Sequence, residues 1–540
     1  MFYNRPDLLN IIVNRINSFS EGYRQNIAVI GEPCSGKTTL IKEILSSDKL
    51  KKESIIPIYL EIKIEPFEFC AKRFIKSAIF QLLQSDPLLT APHDTVLLIE
   101  DLKRTYPKTG QTCIRVLQDI EKNKFDEAYS FMLDIPAAIF EESKKRCVLI
   151  LDEFHNLDNF MLKHSFATLA KKIMIQKDSM YLLLSSRNTM SHRILNEKLS
   201  MLFGNFEKIY IPPFDVVSSR AFIQGNICGT SFPHVYLDFI SSFTGSRPFY
   251  MQQICDEIER VVFSKKAEPN DYAGLIESAF TRAIFKKSGV INQYFSGFLL
   301  KISEGKLLSK SVSALLALSS ENKKQHDIAR SANLQVRDVS KILNKLIEMD
   351  VVIRNGSLYR FRDKLFSFWL RACYMKRIMS FSIDQCMEEG SFKKEVLNML
   401  NTFMQEFEKE LYSRIIDLFR LFKNDVIQLN GKKHKFCTFD NIQKLEEDGA
   451  CNSINILATS GKLRWLWTIK KEYVTENDVT QIIGVGRKGP RNNNINRNIL
   501  VSLAGIDENA YLMAKEARFW VWELENLNTL MELYGKPHIV

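Results

Sequence analysis

The stretch IAVIGEPCSGKTTL, residues 27–40, constrains the fold of this chain more than any other. Its residues Gly31 to Thr38 fit the pattern G-x-x-x-x-G-K-[ST] in full. The apolar run NIAVI before the pattern predicts a buried parallel strand, and TTLIKEIL after it predicts a helix. Such a loop wraps backbone N–H groups around phosphate oxygens at the positive end of the helix. The sequence therefore predicts an α/β P-loop domain that holds a nucleoside triphosphate.

Two side chains of this loop have distinct predicted roles. Lys37 is expected to reach the β- and γ-phosphates and to assist catalysis, and the hydroxyl of Thr38 is expected to bind Mg²⁺. The predicted nucleotide-binding residues of the loop are Gly31, Glu32, Pro33, Cys34, Ser35, Gly36, Lys37, Thr38 and Thr39. Mg²⁺ and a nucleotide are therefore the expected cofactors.

A second motif, RCVLILDEFHNL at residues 146–157, supplies two acids after an apolar strand. Asp152 is predicted to bind Mg²⁺, and Glu153 is predicted to act as the general base towards the attacking water. The alternative is a buried strand that ends in two solvated acids. The pair favours hydrolysis over passive binding, because a pure binder does not need the second acid.

Two further strands complete a minimal parallel sheet with right-handed helical crossovers. MYLLLSSRN at 180–188 ends in Ser185, Ser186 and Arg187, which are placed to sense the γ-phosphate. The alternative is an ordinary strand end with a surface arginine. IIPIYLEI at 55–62 is the other predicted strand.

Several segments resemble archaeal-type ATPases of the STAND/AAA-like group over roughly residues 1–370. They are the two motifs above, the lead-in FYNRPDLLNIIVNRI with its aromatic residue and arginine, IYIPPFDVVSSRAFI at 209–223, and TGSRPFYMQQI at 244–254. The resemblance implies ATP rather than GTP, and no N/TKxD-type guanine motif follows the strands. It also implies that Pro248 of a helical lid lies near the nucleotide and that Arg247 is a second sensor. The group often has a second glycine where Ser246-Arg247 stands here.

Residues 311–363 predict a winged helix: three helices, then two strands around Asn355-Gly356. One face of the third helix is apolar, with Val336, Val339, Ile342, Leu343 and Leu346. Its other positions are mostly basic or polar, with Arg337, Lys341, Asn344 and Lys345. The pattern fits a recognition helix in a DNA major groove, and it also fits a module for protein contacts.

The C-terminal third predicts an amphipathic helix at 403–419, two strands at 453–472 with a turn at Ser460-Gly461, and strand, helix, strand, helix at 497–535. This order resembles the restriction-endonuclease-like fold of the PD-(D/E)xK group, in particular its Mrr-like branch. The resemblance covers about residues 396–540, and archaeal-type ATPases often carry such a domain.

The metal-binding acids of that fold are missing here. An active member has an Asp on the first strand and Glu-x-Lys on the second, but Asn455 and Thr468 stand at the two acidic positions, and only Lys470 matches. Glu408 is a candidate for the helix acid. Neutral oxygens bind Mg²⁺ weakly, so the domain is expected to be an inactive nuclease retained for binding. Basic residues that would suit a phosphate backbone are Lys470, Lys471, Arg487, Lys488, Arg491 and Arg497.

The predicted domains are a P-loop ATPase domain at 1–215, a helical lid at 216–304, a winged helix at 305–372, a linker at 373–395 and a restriction-endonuclease-like domain at 396–540. The 540 residues are too many for one core, which agrees with several domains. A net charge of +11 is compatible with nucleic acid as a partner. Ten scattered cysteines without CxxC spacing, no signal segment and no apolar run of about 18 residues predict a cytoplasmic protein that does not cross a membrane.

The predicted function is an ATP-binding and ATP-hydrolysing switch that couples nucleotide state to DNA engagement by the winged-helix and C-terminal domains. Two alternatives remain open. One is an ATPase scaffold that assembles with protein partners or with itself, without nucleic acid. The other is an ATP-regulated active nuclease with an atypical metal site.

Overall fold

The structure is a computed structural model of the 540-residue chain. It describes residues 5–51, 53–83, 95–202, 204–227, 231–264, 271–302, 308–320, 323–379, 386–445, 453–488 and 495–539. The chain divides into two compact units, which are described in turn. The first contains Met1–Ser218, Arg247–Tyr250 and Glu348–Asp350, and the second contains Ser219–Ser246, Met251–Ile347 and Val351–Val540.

A parallel sheet forms the centre of the first unit. Within the described ranges its strands are β1 (Asn26–Gly31), β2 (Ile55–Glu61), β3 (Arg146–Asp152), β4 (Ser179–Ser185) and β5 (Phe206–Ile211). Their order across the sheet is β2-β3-β4-β1-β5, and every neighbouring pair is parallel. The first four were predicted, and they bring the phosphate loop, the two acids and the serine pair to one edge of the sheet. Strand β5 was missed.

Helices cover both faces of this sheet. They are α1 (Pro6–Ser20), α2 (Lys37–Ser46), α3 (Phe67–Leu82), α4 (Thr95–Thr105), α5 (Pro107–Glu121), α6 (Phe125–Met132), α7 (Ile135–Ser143), α8 (Ser165–Ile175) and α9 (Asn188–Arg193). One apolar core joins α1 and α2 to the sheet through residues such as Ile12, Leu40 and Val29. A second core joins α3 to α8 to the other face through residues such as Phe74 and Leu149. Burial on both faces explains why the strands are continuous apolar runs.

Helices also form the first part of the second unit, as predicted for residues 216–300. They are α10 (Val216–Gly225), α11 (His234–Thr244), α12 (Pro248–Phe263), α13 (Tyr272–Phe280) and α14 (Val290–Ile302), with a π-helical turn at Thr281–Phe285. The first residues of α10 and α12 are counted with the first unit.

Three helices and a hairpin follow in the predicted order. They are α15 (Leu308–Ser319), α16 (Gln325–Ser331), α17 (Val336–Glu348), β6 (Val352–Asn355) and β7 (Leu358–Phe361). On α17 the apolar face is buried through Val339, Ile342, Leu343 and Leu346. Arg337, Lys341, Asn344 and Lys345 are exposed, as their spacing on the helix predicts.

Residues predicted as a linker are helical where the structure describes them. After α18 (Lys364–Trp369), the end of a π-helical turn at Leu370–Met375, α19 (Lys376–Met379) and the first part of α20 (Cys386–Glu408) occupy the predicted linker range 373–395. Ring contacts tie α20 to the preceding helices, because Phe392 lies 5.2 Å from Phe285 and Phe403 lies 5.6 Å from Phe239. These apolar contacts make α20 part of a helical core rather than a flexible connection.

The single helix predicted at 403–419 was wrong. Helix α20 ends at Glu408, and α21 (Leu411–Phe419) begins after an extended residue, Glu410. The two helices bury their apolar faces in different places, since α21 packs on the C-terminal sheet through Ile415, Leu418 and Phe419. Because the two helices pack against different surfaces, the chain cannot continue as one helix between them. Glu408, the candidate helix acid, is therefore the exposed last residue of α20.

The C-terminal sheet is mixed. Its strands in the described ranges are β10 (Asn441–Lys444), β11 (Ser453–Ser460), β12 (Leu463–Lys470), β13 (Arg497–Ser502) and β14 (Trp520–Glu523). They follow that order across the sheet, antiparallel from β10 to β12 and parallel from β12 to β14. The turn between β11 and β12 and the order β13, α23 (Glu508–Glu516), β14, α24 (Leu524–Leu533) were predicted. Strand β10 and helix α22 (Glu476–Lys488) were missed.

A short hairpin and a group of tryptophans complete this domain. The hairpin, formed by β8 (Val426–Leu429) and β9 (Lys432–Lys435), was also missed. Four tryptophans pack edge to face within the sheet region: Trp465 lies 5.4 Å from Trp520, and Trp467 lies 4.9 Å from Trp522. This aromatic core holds β12, β14 and the helices α21 and α24 together.

Among the described residues, no helix is both long enough and apolar enough to cross a membrane. The described cysteines whose state is defined are free thiols: Cys34, Cys70, Cys113, Cys147, Cys255, Cys373 and Cys437. Helix α22 ends at Lys488, and residues 489–494 lie outside the described ranges.

Candidate functional site

The phosphate loop joins β1 to α2 through left-handed backbone. Gly36, directly before α2, has a φ of +87°, a conformation that glycine adopts without steric cost. Cys34 also has a positive φ, +66°. These turns end the strand and start the helix within a few residues. Gly31, Pro33, Cys34, Ser35 and Thr39 lie along the same loop and the first turn of α2, in the order that the motif predicts.

The Lys37 ammonium group is folded back onto the loop. Its Nζ donates to the carbonyl oxygens of Gly31 at 3.0 Å and Glu32 at 2.9 Å, and the residue is only 5% exposed. Burial lowers the pKa of Lys37, while the nearby charges of Glu153 and Asp152 act in the opposite direction. The carbonyl oxygens thus hold a cation at the position where the motif predicts phosphate.

Asp152 is placed by β3 next to the start of α2. Its Oδ2 accepts hydrogen bonds from the Thr38 hydroxyl at 2.7 Å and from the Tyr59 hydroxyl at 2.9 Å. Asp152 is 2% exposed. Tyr59 lies on β2, directly opposite Ile150 of β3, and sequence reasoning missed it. The Asp152 carboxylate beside the Thr38 hydroxyl is the kind of hard oxygen site that binds Mg²⁺ together with nucleotide phosphates, and Tyr59 orients the carboxylate.

Glu153 follows Asp152 in a left-handed conformation, with a φ of +54°. Its Oε2 accepts hydrogen bonds from the backbone N–H of Ser186 at 3.0 Å and from the Ser186 hydroxyl at 2.8 Å. Burial raises the pKa of Glu153, although the Ser186 hydrogen bonds and the Lys37 charge partly oppose this effect. Ser186, predicted to sense phosphate, therefore holds the predicted base.

His155 lies behind Glu153 and was not singled out by sequence reasoning. Its Nδ1 is 2.8 Å from the Ser185 hydroxyl and 3.3 Å from Oε2 of Glu153. Burial, with the positive charges of Arg187 and Lys37, lowers the pKa of His155 to about 3. The imidazole is therefore neutral at physiological pH and contributes hydrogen bonding rather than charge. Its position two residues after Glu153 in the acidic motif is the feature of the sequence that could have identified it.

Arg187 follows β4 and is half-buried. Its backbone N–H donates to the Ser185 hydroxyl at 3.1 Å, and its carbonyl accepts from the Ser191 hydroxyl at 2.5 Å. Two residues later, Thr189 donates to the Asp350 carboxylate through its N–H at 3.0 Å and its hydroxyl at 2.7 Å. The segment that carries Arg187 therefore contacts Ser185 at its start and Asp350 after it.

Arg247 and Pro248 belong to the first unit, together with the phosphate loop. Arg247 is 4% exposed, and its Nη2 donates to Oε2 of Glu32 at 2.6 Å. Pro248 is the first residue of α12. The predicted second sensor therefore forms an ion pair with a residue of the loop itself.

Arg5 also contacts the phosphate loop. Its guanidinium donates to the carbonyl oxygen of Ser35 at 2.9 Å and of Pro212 at 2.6 Å, and it lies 4.8 Å from the Phe214 ring. Burial lowers the pKa of Arg5 to about 10. The lead-in resemblance included this arginine without giving it a role. The aromatic residues of that lead-in, at 2 and 3, lie outside the described ranges.

A second set of predicted residues meets in the C-terminal sheet. Asn455 of β11 is the direct partner of Thr468 of β12, so their side chains share one face. Lys470 is on the same face as Thr468, two residues further along the strand. Lys470 is 5% exposed and forms an ion pair with Asp478 of α22, which lowers the pKa of that carboxyl against the cost of burial.

The ion pair corrects one prediction. Lys470 was expected among the residues facing a phosphate backbone, but it is buried against Asp478. Lys471 and Arg497 are exposed. Arg487 and Lys488 lie in α22, and Arg491 lies outside the described residues.

Comparison with known proteins gives the family of one part of the chain. Residues 20–185 match a family model described as an AAA domain. This segment is an AAA-type P-loop ATPase domain. It contains the phosphate loop, the two acids and Ser185. No curated protein matches the chain.

Three solved structures are similar over much of the chain. The Walker-type ATPase PABY2304 of Pyrococcus abyssi is 14% identical, with a TM-score of 0.47, over 68% of this chain and 96% of its own. The ORC2 protein of Aeropyrum pernix, in ADPNP–ADP complexes, is 10% identical, with a TM-score of 0.43, over 74% and 92%. The RuvB Holliday junction branch migration motor of Thermotoga maritima is 14% identical, with a TM-score of 0.34, over 68% and 96%. With TM-scores below 0.5, these similarities carry no argument about function.

Proposed function

We propose that this protein is an ATP-hydrolysing switch whose nucleotide state controls DNA engagement by the second unit. The observation that carries the proposal is the contact of Glu153 with Ser186. The carboxylate needed as a base accepts two hydrogen bonds from the segment that carries Arg187. Hydrolysis then requires this segment to release Glu153, so the catalytic state and the position of the segment change together.

Lys37, Thr38 and Asp152 have the roles that the motifs predict. The Lys37 ammonium leaves the carbonyl oxygens of Gly31 and Glu32 and binds the β- and γ-phosphate oxygens. Thr38 and Asp152 hold Mg²⁺, which supplies positive charge to the phosphates when bound. Tyr59 orients the Asp152 carboxylate by its hydrogen bond at 2.9 Å.

Glu153 accepts the proton of the attacking water. Its raised pKa favours this role, since a base is most effective when its pKa is close to the working pH. The neutral His155 donates or accepts a hydrogen bond beside Oε2 without adding charge. In this proposal Arg187, which follows β4, contacts the γ-phosphate.

Arg247 and Pro248 form the lid contact in this proposal. Arg247 is bound to Glu32 in the loop, and nucleotide phosphates compete with Glu32 for its guanidinium. Charge-assisted pairs of this kind are strong and directional. Movement of Arg247 from Glu32 to the nucleotide would couple binding to the start of α12, where Pro248 lies.

The second unit supplies the binding domains. Residues 305–372 are a winged helix in this proposal, with α17 as the recognition helix and Arg337, Lys341, Asn344 and Lys345 facing solvent. Residues 396–540 are a restriction-endonuclease-like domain that does not cleave. Asn455 and Thr468 bring no charge to the metal position, and Lys470 is neutralised by Asp478.

ATP turnover measured with and without duplex DNA tests the proposal. We expect DNA to change ATP affinity, and with it turnover at sub-saturating ATP, because DNA that binds one nucleotide state more tightly must shift nucleotide binding by the same free energy. Equal turnover and no DNA binding at low salt would favour the protein scaffold instead. Metal-dependent cleavage by the unaltered chain would support the active nuclease.

A further inference from the structure

The tip of hairpin β6–β7 is engaged inside the second unit. Ser357 donates its N–H to the carbonyl of Val426 at 2.8 Å, and the N–H of Val426 donates to the Ser357 hydroxyl at 3.1 Å. The Asn355 side chain accepts from the N–H of Gln428 at 2.6 Å and donates to its carbonyl at 3.1 Å. A Cβ atom on Gly356 would overlap the carbonyl of Val426. The tip is therefore joined to strand β8 rather than presented to a groove of DNA.

Hairpin β8–β9 is held at its other end as well. The side-chain amides of Asn430, in the turn, and Asn526, on α24, exchange two hydrogen bonds, at 3.1 and 2.7 Å. Positive φ values at Asn430 and Gly431 form a tight turn. His434 is buried with its ring 4.4 Å from Trp520. The backbone of the hairpin is thus fixed from three sides.

The exposed positions of this fixed hairpin are strongly basic. Lys432, Lys433 and Lys435 are all exposed, with Lys433 and Lys435 on one face of the strand and Lys432 on the face of His434. Among the described residues, none of the three forms an ion pair. Neighbouring lysines of the same unit differ, since Lys324 pairs with Asp425 at 2.7 Å and Lys364 pairs with Glu532 at 3.4 Å. The hairpin cations are therefore available to an external anion.

Arg497 extends the basic surface. It is exposed, and its guanidinium lies 4.3 Å from the centre of the Trp520 ring. Burial lowers the pKa of His434, and the charges of Arg497 and Lys432 lower it further, so both cations lie close to this histidine. We call Lys432, Lys433, Lys435 and Arg497 the hairpin patch.

We propose that the hairpin patch binds the phosphate backbone of duplex DNA. The inference rests on the proposed function and adds a surface that the sequence analysis did not identify. The β6–β7 tip is joined to β8, so the lysine-bearing hairpin takes the place of a free wing beside the recognition module. The backbone that carries these cations is held in place, so binding orders side chains only, and each cation that pairs with a phosphate releases counterions from the DNA.

The test is the salt dependence of DNA affinity, measured by fluorescence anisotropy with a labelled duplex and with the same sequence as a single strand. The variant carries Lys432→Gln, Lys433→Gln and Lys435→Gln in the full chain. Its matched control carries Lys72→Gln, Lys76→Gln and Lys171→Gln, three exposed lysines of the first unit with the same change of charge. A third variant replaces the three hairpin lysines by arginine.

For the hairpin variant on duplex DNA, we expect the slope of log K against log salt to become shallower by about 2.7. Each of the three lost phosphate contacts accounts for about 0.9 of this change. The arginine variant and the first-unit control should keep the original slope, and ATP turnover without DNA should be unchanged in all three. Should the triple variant fail to fold, Lys433→Gln with Lys435→Gln should lower the slope by about 1.8.

The outcomes separate this inference from the proposed function. A chain that binds no DNA at low salt contradicts both. Wild-type binding with an unchanged slope in the hairpin variant contradicts the hairpin patch alone. An equal loss in the first-unit control means that net charge rather than this surface is responsible, and a loss seen only with the single strand contradicts the duplex assignment.

Discussion

The phosphate-loop site and the β11–β12 site both place a buried lysine near the ends of buried strands, yet they differ in the groups around it. Lys37 is held by the carbonyl oxygens of Gly31 and Glu32, and two acids lie close by. Lys470 is held by the full charge of Asp478; its direct partner on β11 is Ser453, and the neutral pair Asn455 and Thr468 lies next along the same face. A carbonyl oxygen gives up a cation to phosphate more readily than a buried carboxylate does. A lysine motif alone therefore does not define a site; the group that holds the lysine decides whether it can bind an anion.

Replacing Lys37 tests the first half of this comparison with the largest expected effect. Lys37→Ala should lower ATP affinity by about 10²-fold or more, because two hydrogen bonds to charged groups are lost at about 1.5–3 kcal/mol each. Calorimetric titration with ATP and Mg²⁺ measures the loss. Lys42→Ala, an exposed lysine on the same helix, is the control and should bind normally. Normal affinity in Lys37→Ala would refute the site.

Replacing the base separates binding from chemistry. Glu153→Gln should bind ATP normally and hydrolyse it about 10²-fold to 10⁴-fold more slowly, the range for loss of a general base. Asp152→Asn should instead weaken the Mg²⁺-dependent part of binding. Single-turnover hydrolysis measures the rate, with Glu100→Gln as an exposed control. A wild-type rate in Glu153→Gln would mean that another group is the base.

Restoring two acids tests the second half of the comparison. The wild-type protein should not cleave DNA with any divalent metal, whereas Asn455→Asp with Thr468→Glu should create metal binding measurable by calorimetry. Asn441→Asp with Thr459→Glu is the matched control, since these residues are also direct partners on neighbouring strands but lie at the sheet margin, where Asn441 is exposed and Thr459 is half-buried. Equal metal binding by both pairs would show that the Asn455–Thr468 position beside Lys470 is not a specific metal site.

The smallest effect concerns Ser186. Its hydrogen bonds favour the ionised form of Glu153 and so lower the pKa of that carboxyl. Ser186→Ala removes the hydroxyl bond, so the pKa of Glu153 should rise. As the pH is lowered, the variant should therefore lose activity at a higher pH than the wild type. A shift of up to about one pH unit is expected, since a hydrogen bond contributes about 0.5–1.5 kcal/mol. The pH profile of kcat/KM, which reports the free enzyme in which Ser186 holds Glu153, measures the shift, and Ser186→Thr, which keeps the hydroxyl, should behave as the wild type.

The sequence was sufficient for elements whose pattern is local. The strand–loop–helix of the phosphate site, the acidic strand and the β11–β12 hairpin each have a continuous signal in neighbouring residues. Helix α20 and the hairpin β8–β9 do not. The break at Glu410 depends on which distant surface each helix packs against, and β8 is stabilised by Asn355 and Ser357, about 70 residues earlier.

Local motifs and long-range contacts also differ in how well they predict the phosphate-loop site. Lys37, Thr38, Asp152 and Glu153 were identified because their motifs fix their spacing. The partners that control them were not, because they come from other strands. Tyr59 reaches Asp152 from β2, and Ser186 turned out to hold Glu153 rather than stand alone as a phosphate sensor. Such contacts depend on the strand order of the sheet, which no single motif encodes.

The position of the tryptophans has a practical consequence for measurement. The five tryptophans are residues 369, 465, 467, 520 and 522, and all of them belong to the second unit. Intrinsic fluorescence excited at the indole band therefore reports on that unit alone. The ATPase unit contributes tyrosine signal only, so nucleotide-dependent changes in indole emission would come from the second unit without any added label. Trp520, with Arg497 over its ring, is the natural optical probe for DNA at the hairpin patch.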